Sequence, residues 1–204
     1  MNFGGKMKTV MTGLIAILAA LALVQTPAAA ARLTVSGVSM AQANCIYSPT
    51  CLPFFLEVLG ALDFTPLGSS AFLQTRTMPG VAGSAAAGKN GYLYRLDLTG
   101  ANPNSECVHG ISIGFGTIEQ LNYTGSGPTH LFVITSGGPG TIGAGSAEFT
   151  PEDGLVQIDF GRYVCPGQGT FFIGLTSTAR PVNATISLWS AGAPPIMQTT
   201  GWVP

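Results

Sequence analysis

Ser112 stands at the centre of a Gly-x-Ser-x-Gly pattern, Gly110 to Gly114, which in many hydrolases carries a nucleophilic serine. Such a serine needs a strand before it, a helix after it, and then an acid and a histidine later in the chain. The segment that follows, "FGTIEQLNYTG", is too short and too rich in glycine for that helix. Glu119 is the only acidic residue between Ser112 and His130, which is the only later histidine. We therefore expect a non-catalytic protein and assign no catalytic residue. A serine hydrolase that uses Ser112 with His130 or His109 is the weakest alternative.

The four cysteines predict how the chain is crosslinked. An even number of cysteines in an exported chain indicates two disulfides, and we expect the pairs Cys45–Cys51 and Cys107–Cys165. The alternative is a tetrahedral zinc site, because Cys and His are the usual zinc ligands; its members would be Cys107, His109, His130 and Cys165. No Cys-x-x-Cys or His-x-x-x-His spacing supports that site, so the sequence favours disulfides.

Calcium is the one cofactor that the sequence suggests. Glu148, Glu152 and Asp153 cluster around the turn "EFTPEDG", and calcium is bound by carboxylates and backbone carbonyls from loops. The same residues form an ordinary turn sequence, with Pro before and Gly after, and EF-hand spacing is absent. We expect no cofactor and keep calcium at these carboxylates as the alternative.

Trp189 is the candidate ligand-binding residue. If "ATISLW" at 184–189 is a strand, Trp189 shares one side with Thr185 and Ser187, opposite Ile186 and Leu188. A tryptophan on a polar face can stack on a sugar ring or anchor a protein contact. These three residues are therefore the predicted ligand site, and burial of Trp189 under a loop or the C-terminal tail is the alternative.

The segment "CVHGISIGFG", residues 107–116, predicts a strand rather than an active site. Alternation places Cys107, His109, Ile111, Ile113 and Phe115 on one side, which we expect to face the core. On this interpretation His109 is a partly buried, hydrogen-bonded core histidine, since buried polar groups normally find partners.

Residues 1–30 are typical of a cleavable secretory signal helix. Lys6 and Lys8 precede an apolar run from Gly13 to Val24, and a small-residue cleavage site, "AAA" at 28–30, follows. The run is shorter than the roughly 20 residues that a membrane-spanning helix requires. We expect a secreted, periplasmic or cell-surface protein without a stable membrane anchor after cleavage.

Composition limits the partners. Loss of the signal leaves six basic side chains against nine carboxylates, a net charge of −3, which argues against nucleic-acid binding. Lysines, which normally protect sheet edges from pairing with other chains, are scarce. The scarcity predicts edges that are covered within the fold or used for self-association.

Short apolar or alternating segments separated by glycine-rich turns predict an all-β fold, an antiparallel β-sandwich of jelly-roll or immunoglobulin-like type. The predicted strands are 32–38, 71–77, 91–98, 107–116, 118–123, 129–135, 155–160, 170–176 and 184–189. In "LVQIDF", Val156, Ile158 and Phe160 should face the core. One or two helical turns are predicted at 54–62. The predicted organisation is one domain, residues 31–204, with a flexible loop at 79–91.

The leading functional hypothesis is an exported, disulfide-stapled sandwich that acts by binding or assembly at the cell surface, with a protein or glycan partner. The alternative is a carbohydrate-binding module centred on Trp189. No motif in the sequence identifies the ligand.

Overall fold

The computed structural model describes Met1 and residues 29–62, 70–190 and 195–204, and in these ranges the chain forms two packed β-sheets. The predicted all-β sandwich is thus confirmed. The predicted signal segment lies almost entirely outside the described residues.

Each sheet has six strands. The first sheet has the spatial order β1 (Ala31–Arg32), β8 (Ala144–Thr150), β9 (Leu155–Val164), β6 (Val108–Gly114), β11 (Val182–Trp189) and β12 (Pro195–Val203). The second has the order β2 (Val35–Ser39), β7 (Leu131–Ser136), β10 (Ile173–Ser177), β5 (Asn90–Asp97), β4 (Phe72–Pro79) and β3 (Leu56–Ala61). Neighbouring strands run antiparallel, except that β2 is parallel to β7.

The main core lies between the two sheets and follows from strand alternation. Val156, Ile158 and Phe160 of β9 are buried, as predicted, while Gln157 between them is exposed. Ile186 and Leu188 of β11 enter the same core. A period of two in the apolar residues therefore determines which face of the first sheet meets the second.

A second core covers the outer face of the second sheet. The helix α1 (Met40–Tyr47) begins with a capping box in which Ser39 and Gln42 bond each other's backbone N–H groups. Its Tyr47 is buried against this face, and the Tyr47 hydroxyl shares a hydrogen bond of 2.5 Å with Thr176. Within the described ranges, no helix has the length and apolar character needed to cross a membrane.

Residues 79–91, the predicted flexible loop, contact this second core. The N–H of Ala86 donates to the carbonyl of Ile46 at 3.0 Å, and the Ala86 side chain is fully buried. The N–H of Gly80 donates to the carbonyl of Lys89 at 2.8 Å, which closes the segment between β4 and β5.

Some predicted elements differ from the structure. The segment predicted to form helical turns, 54–62, contains β3 instead, and 118–123 forms only an isolated bridge between Leu121 and Thr129. Short apolar runs do not distinguish helix from strand by themselves, and pairing with β4 decides the outcome at β3. Helix α1 and strands β8 and β12 were not predicted.

Both disulfides form with the predicted pairing. Cys45 bonds to Cys51 at the end of α1, and Cys107 bonds to Cys165, which joins the start of β6 to the end of β9. The described residues contain no free cysteine, so the zinc alternative at Cys107 and Cys165 is wrong.

Candidate functional site

Two surfaces stand out, and the first lies on the outer face of the first sheet. There Thr185 is exposed, and Ser187 and Trp189 are half-buried. Ser187 accepts a hydrogen bond of 3.3 Å from the amide of Gln198 on β12. These side chains lie in a row along β11, and only Trp189 has aromatic neighbours.

Trp189 lies flat against β6 because the residue opposite it is a glycine. A Cβ at Gly110 would lie 2.3 Å from Cζ2 of Trp189 and 2.4 Å from the carbonyl oxygen of Ile158. Any larger residue at Gly110 would push the indole away from the sheet. In this position the Trp189 Nε1 is buried, with no hydrogen-bond partner among the described residues.

His109 lies on this outer face, so its predicted place on the core-facing side is wrong. The pairing of β6 with β9 shifts between Val108, which faces Val164, and Gly110, which faces Asp159. This bulge interrupts the alternation, because Val108 and Ile111 are both buried although they lie three positions apart.

His109, Tyr163 and Trp189 together form what we call the aromatic patch. The His109 ring centroid lies 4.8 Å from that of Tyr163 and 5.2 Å from that of Trp189. Tyr163 is 43% exposed. The patch therefore combines an accessible ring with a half-buried one.

Asp159 supplies a carboxylate beside the aromatic patch. Its Oδ2 lies 3.3 Å from Nδ1 of His109, at ion-pair distance but without the alignment of a hydrogen bond. Partial burial raises the pKa of Asp159, and the adjacent His109 opposes part of that rise. Stacking rings beside a hydrogen-bond acceptor are suited to a sugar ring with its hydroxyl groups.

Ser112 lies in the middle of β6, between Gln157 of β9 and Ser187 of β11. Residues 115–120 after the strand are not helical, so the context of a nucleophile elbow is absent here. No hydrogen bond joins Ser112 to His109 or His130 in the described part of the chain. The arrangement offers Ser112 no base.

His130 belongs to a different region. Its Nδ1 accepts from the N–H of Thr34 at 3.2 Å, and its Nε2 lies 2.6 Å from Nε2 of Gln120. Burial lowers the pKa of His130, so the ring is neutral near pH 7. The ring lines a cavity of about 630 Å³, together with Arg32 and Leu33.

The three carboxylates of the calcium hypothesis are spread over β8 and the turn that follows it. Glu148 lies on β8 opposite Gln157, and Glu152 and Asp153 lie in the turn before β9. In the described ranges no three Asp, Glu, His or Cys side chains converge on a point where they could hold a metal ion. Calcium binding by these residues remains a prediction.

The second surface is a run of exposed apolar side chains on β3 and the segment before it, which we call the apolar edge. Its members are exposed by 44% to 82% and are Leu52, Phe54, Phe55, Leu56 and Leu59. Single exposed apolar residues are normal on a protein surface, whereas a contiguous group marks an interaction site.

The only charged side chain within this run, Glu57, is neutralised inside the chain. Its carboxylate accepts hydrogen bonds from Nε2 of Gln74 at 2.7 Å and from Nε of Arg76. The Arg76 guanidinium also stacks on the rings of Phe55 and Phe172, 4.7 Å from each centroid. The apolar edge therefore has no unpaired charge to repel a partner.

The other three sheet edges are shielded or short. On β12, the N–H of Trp202 donates to Thr75 Oγ1 and its carbonyl accepts from the Tyr94 hydroxyl, each at 3.0 Å. β1 has two residues, and β2 has five, with an irregularity between Val38 and Ser39. Short and irregular edges resist pairing with another chain, so β3 is the exposed edge of the described fold.

Comparison of the chain with protein-family models, with curated proteins and with solved structures finds no significant match.

Sequence reasoning found Trp189 but missed its neighbours, because the bulge at His109 and the extension of β9 beyond Phe160 to Tyr163 depend on strand pairing. It also missed the apolar edge as a surface, because a run of Leu and Phe residues ordinarily indicates a core. The scarcity of lysine was the one signal that pointed to an unprotected edge.

Proposed function

We propose that this protein is an exported, disulfide-stapled, non-catalytic assembly protein that associates with further copies of itself through the apolar edge. The observation that carries the proposal is the exposure of five large apolar side chains in the edge strand β3 and the segment just before it. A strand with free backbone N–H and C=O groups and apolar flanks is suited to strand addition by another chain.

The chemistry of the apolar edge favours a second copy as the partner. Glu57 is paired within its own chain, so two copies of this uncharged surface can meet without repulsion between like charges. A partner of strong charge would gain nothing from the Leu and Phe side chains. A surface of one kind that meets itself is the usual arrangement in twofold dimers.

Export is supported by the two disulfides, which persist in oxidising compartments. The signal-like sequence at residues 1–30 also supports export. Assembly would then take place outside the cytoplasm.

Sedimentation velocity of the oxidised protein over a range of concentrations tests the proposal. We expect a reversible dimer, and we expect Leu56→Lys to raise its dissociation constant at least tenfold, because a lysine would place a charge on the pairing edge. Val182→Lys is the matched control, since Val182 is 52% exposed on β11, an interior strand of the first sheet. A wild-type protein that stays monomeric at the highest concentrations would refute the proposal.

A second candidate function, glycan binding, is favoured by the aromatic patch. Tyr163 presents an accessible ring, and Asp159 provides an acceptor for a sugar hydroxyl. We infer that a glycan partner would stack on Tyr163 and Trp189 rather than on the polar row at Thr185 and Ser187.

A glycan array tests this candidate. Binding should be lost in Tyr163→Ala, which removes the exposed ring, and retained in Val182→Ala, which alters a remote exposed residue of β11. An array without signal for the wild-type protein, with and without calcium, would remove the candidate.

A further inference from the structure

The backbone of β3 determines how a second copy can pair with it. Neighbouring residues of a strand direct their N–H and C=O groups to opposite sides. The N–H of Leu62, directly after β3, donates to Ala71 in the segment before β4 at 3.1 Å, and the carbonyl of Ala61 instead accepts from the Thr199 hydroxyl at 3.0 Å. The backbone N–H and C=O groups of residues 56, 58 and 60 therefore bond to β4, while those of residues 57, 59 and 61 point away from it.

The available part of the edge ends before Gly60. The outward carbonyl of Ala61 is already bonded to the Thr199 hydroxyl, and a Cβ at Gly60 would lie 2.3 Å from the carbonyl oxygen of Thr200, so β12 lies beside Ala61 and against the face of Gly60. Upstream, the stacking of Phe55 on Arg76 places Phe55 on the same face as Glu57, so the alternation continues before the first residue of β3. The free edge thus covers residues 53–59, and Leu56 is its central residue.

Only some registers are compatible with a twofold axis. In an antiparallel pair, residues directly opposite each other have side chains on the same face. A twofold axis between two residues would place each residue opposite one whose side chain is on the other face, so the axis must pass through a residue position. An axis at Glu57 would place Ala61, whose carbonyl is already bonded to Thr199 of β12, opposite Pro53 of the second copy. An axis at Val58 would place Ala61 opposite Phe55 and force the second copy into β12.

We propose that two copies pair antiparallel through β3 with Leu56 of each chain opposite Leu56 of the other. The inference rests on the proposed self-assembly and specifies its geometry. In this register Phe55 of one copy lies opposite Glu57 of the other. The N–H of each of these two residues donates to the carbonyl of the other. The N–H of Leu59 donates to the carbonyl of Pro53, which needs no N–H of its own.

The side chains agree with this register. Phe54, Leu56 and Val58 lie on the face of β3 that points toward the first sheet, where Leu56 is 44% and Phe54 67% exposed. Pairing at Leu56 brings Phe54 of one chain against Val58 of the other and forms one continuous apolar stripe across both copies. On the opposite face, Glu57 remains bound to its own Arg76.

Disulfide trapping tests the register. Leu56→Cys should form a covalent dimer under mild oxidation, because the Cα atoms of a directly opposed, non-hydrogen-bonded pair lie about 4.5 Å apart. Val58→Cys should not, since two such positions would be about 13 Å apart along the strands. Mixing Phe54→Cys with Val58→Cys chains should give the mixed dimer, and mass spectrometry must show that both native disulfides are intact.

The outcomes separate the two proposals. If the wild-type protein sediments as a dimer but Val58→Cys or Glu57→Cys is trapped in place of Leu56→Cys, the register is wrong and self-assembly stands. If a dimer forms and none of these positions is trapped, β3 pairing is wrong. If the wild-type protein is monomeric and no variant is trapped, both proposals fail.

Discussion

Gly110 and His109 show how single residues shape the outer face of the first sheet. The missing side chain at Gly110 gives Trp189 its position, and the bulge beside it turns His109 out of the core. Alternation correctly predicts Ile111 and Ile113 as core residues, since the strand is regular there. It fails at His109 because a bulge is a property of two paired strands, and no pattern within one strand reveals it.

Replacement of Gly110 should destabilise the fold much more than replacement of a second glycine in the same strand. Gly110→Ala forces a Cβ against the Trp189 ring and the Ile158 carbonyl, and overpacking of this kind costs about 1–3 kcal/mol. Gly114→Ala is the control, because a Cβ there would meet nothing within 4 Å; it should be neutral or slightly stabilising. Chemical denaturation of both variants measures the difference, and equal stabilities would contradict the described packing at Trp189.

At the scale of elements, sequence patterns correctly predict the strands that contribute many apolar side chains to the core. Strand β9 alternates regularly from Leu155 to Phe160, and β5 and β10 are buried almost throughout. Strand β8 was missed because glycine, alanine and serine predominate in it, which leaves little apolar signal. For α1 a signal was present, the Ser-x-x-Gln capping box at Ser39, although eight residues are too few for a clear helical period.

Proline substitutions in β3 should separate the paired side of the strand from its free side. Leu59→Pro removes an N–H that faces away from β4, so the monomer should keep its thermal stability while the dimer weakens. Val58→Pro removes an N–H that bonds to β4 and should destabilise the monomer by about 1–3 kcal/mol, because a carbonyl of β4 loses its donor. Thermal unfolding and sedimentation of both variants provide the test. A Leu59→Pro protein as unstable as Val58→Pro would contradict the assigned backbone directions.

At the scale of the whole molecule, one shielded edge, two short edges and two cores characterise a fold with few charges. The chain passes from β1 in the first sheet to β2 in the second, and β12 closes against Thr75 and Ala61 on the other side. Sequence patterns predicted the two layers and the disulfides, because both follow from local residue types. The open edge at β3 could not be predicted, since it depends on where β12 ends relative to the second sheet.

The two disulfides should contribute unequally to this stability. Cys107–Cys165 spans 58 positions and Cys45–Cys51 spans six, so their removal should cost about 4 and about 2 kcal/mol on the chain-entropy model. Denaturation of the two paired Cys→Ala variants checks the order. A larger loss of unfolding free energy for the Cys45–Cys51 pair would contradict this order and would show that the short crosslink stabilises more of the fold than its own loop.

Amide hydrogen exchange at several protein concentrations tests the central claim most directly, because it reports on individual N–H groups of β3. If two copies pair along this strand, the amides of Glu57 and Leu59 become protected as concentration rises, while that of Val58, already bonded to β4, is protected throughout. Exchange at Glu57 and Leu59 that stays fast and independent of concentration would contradict the account.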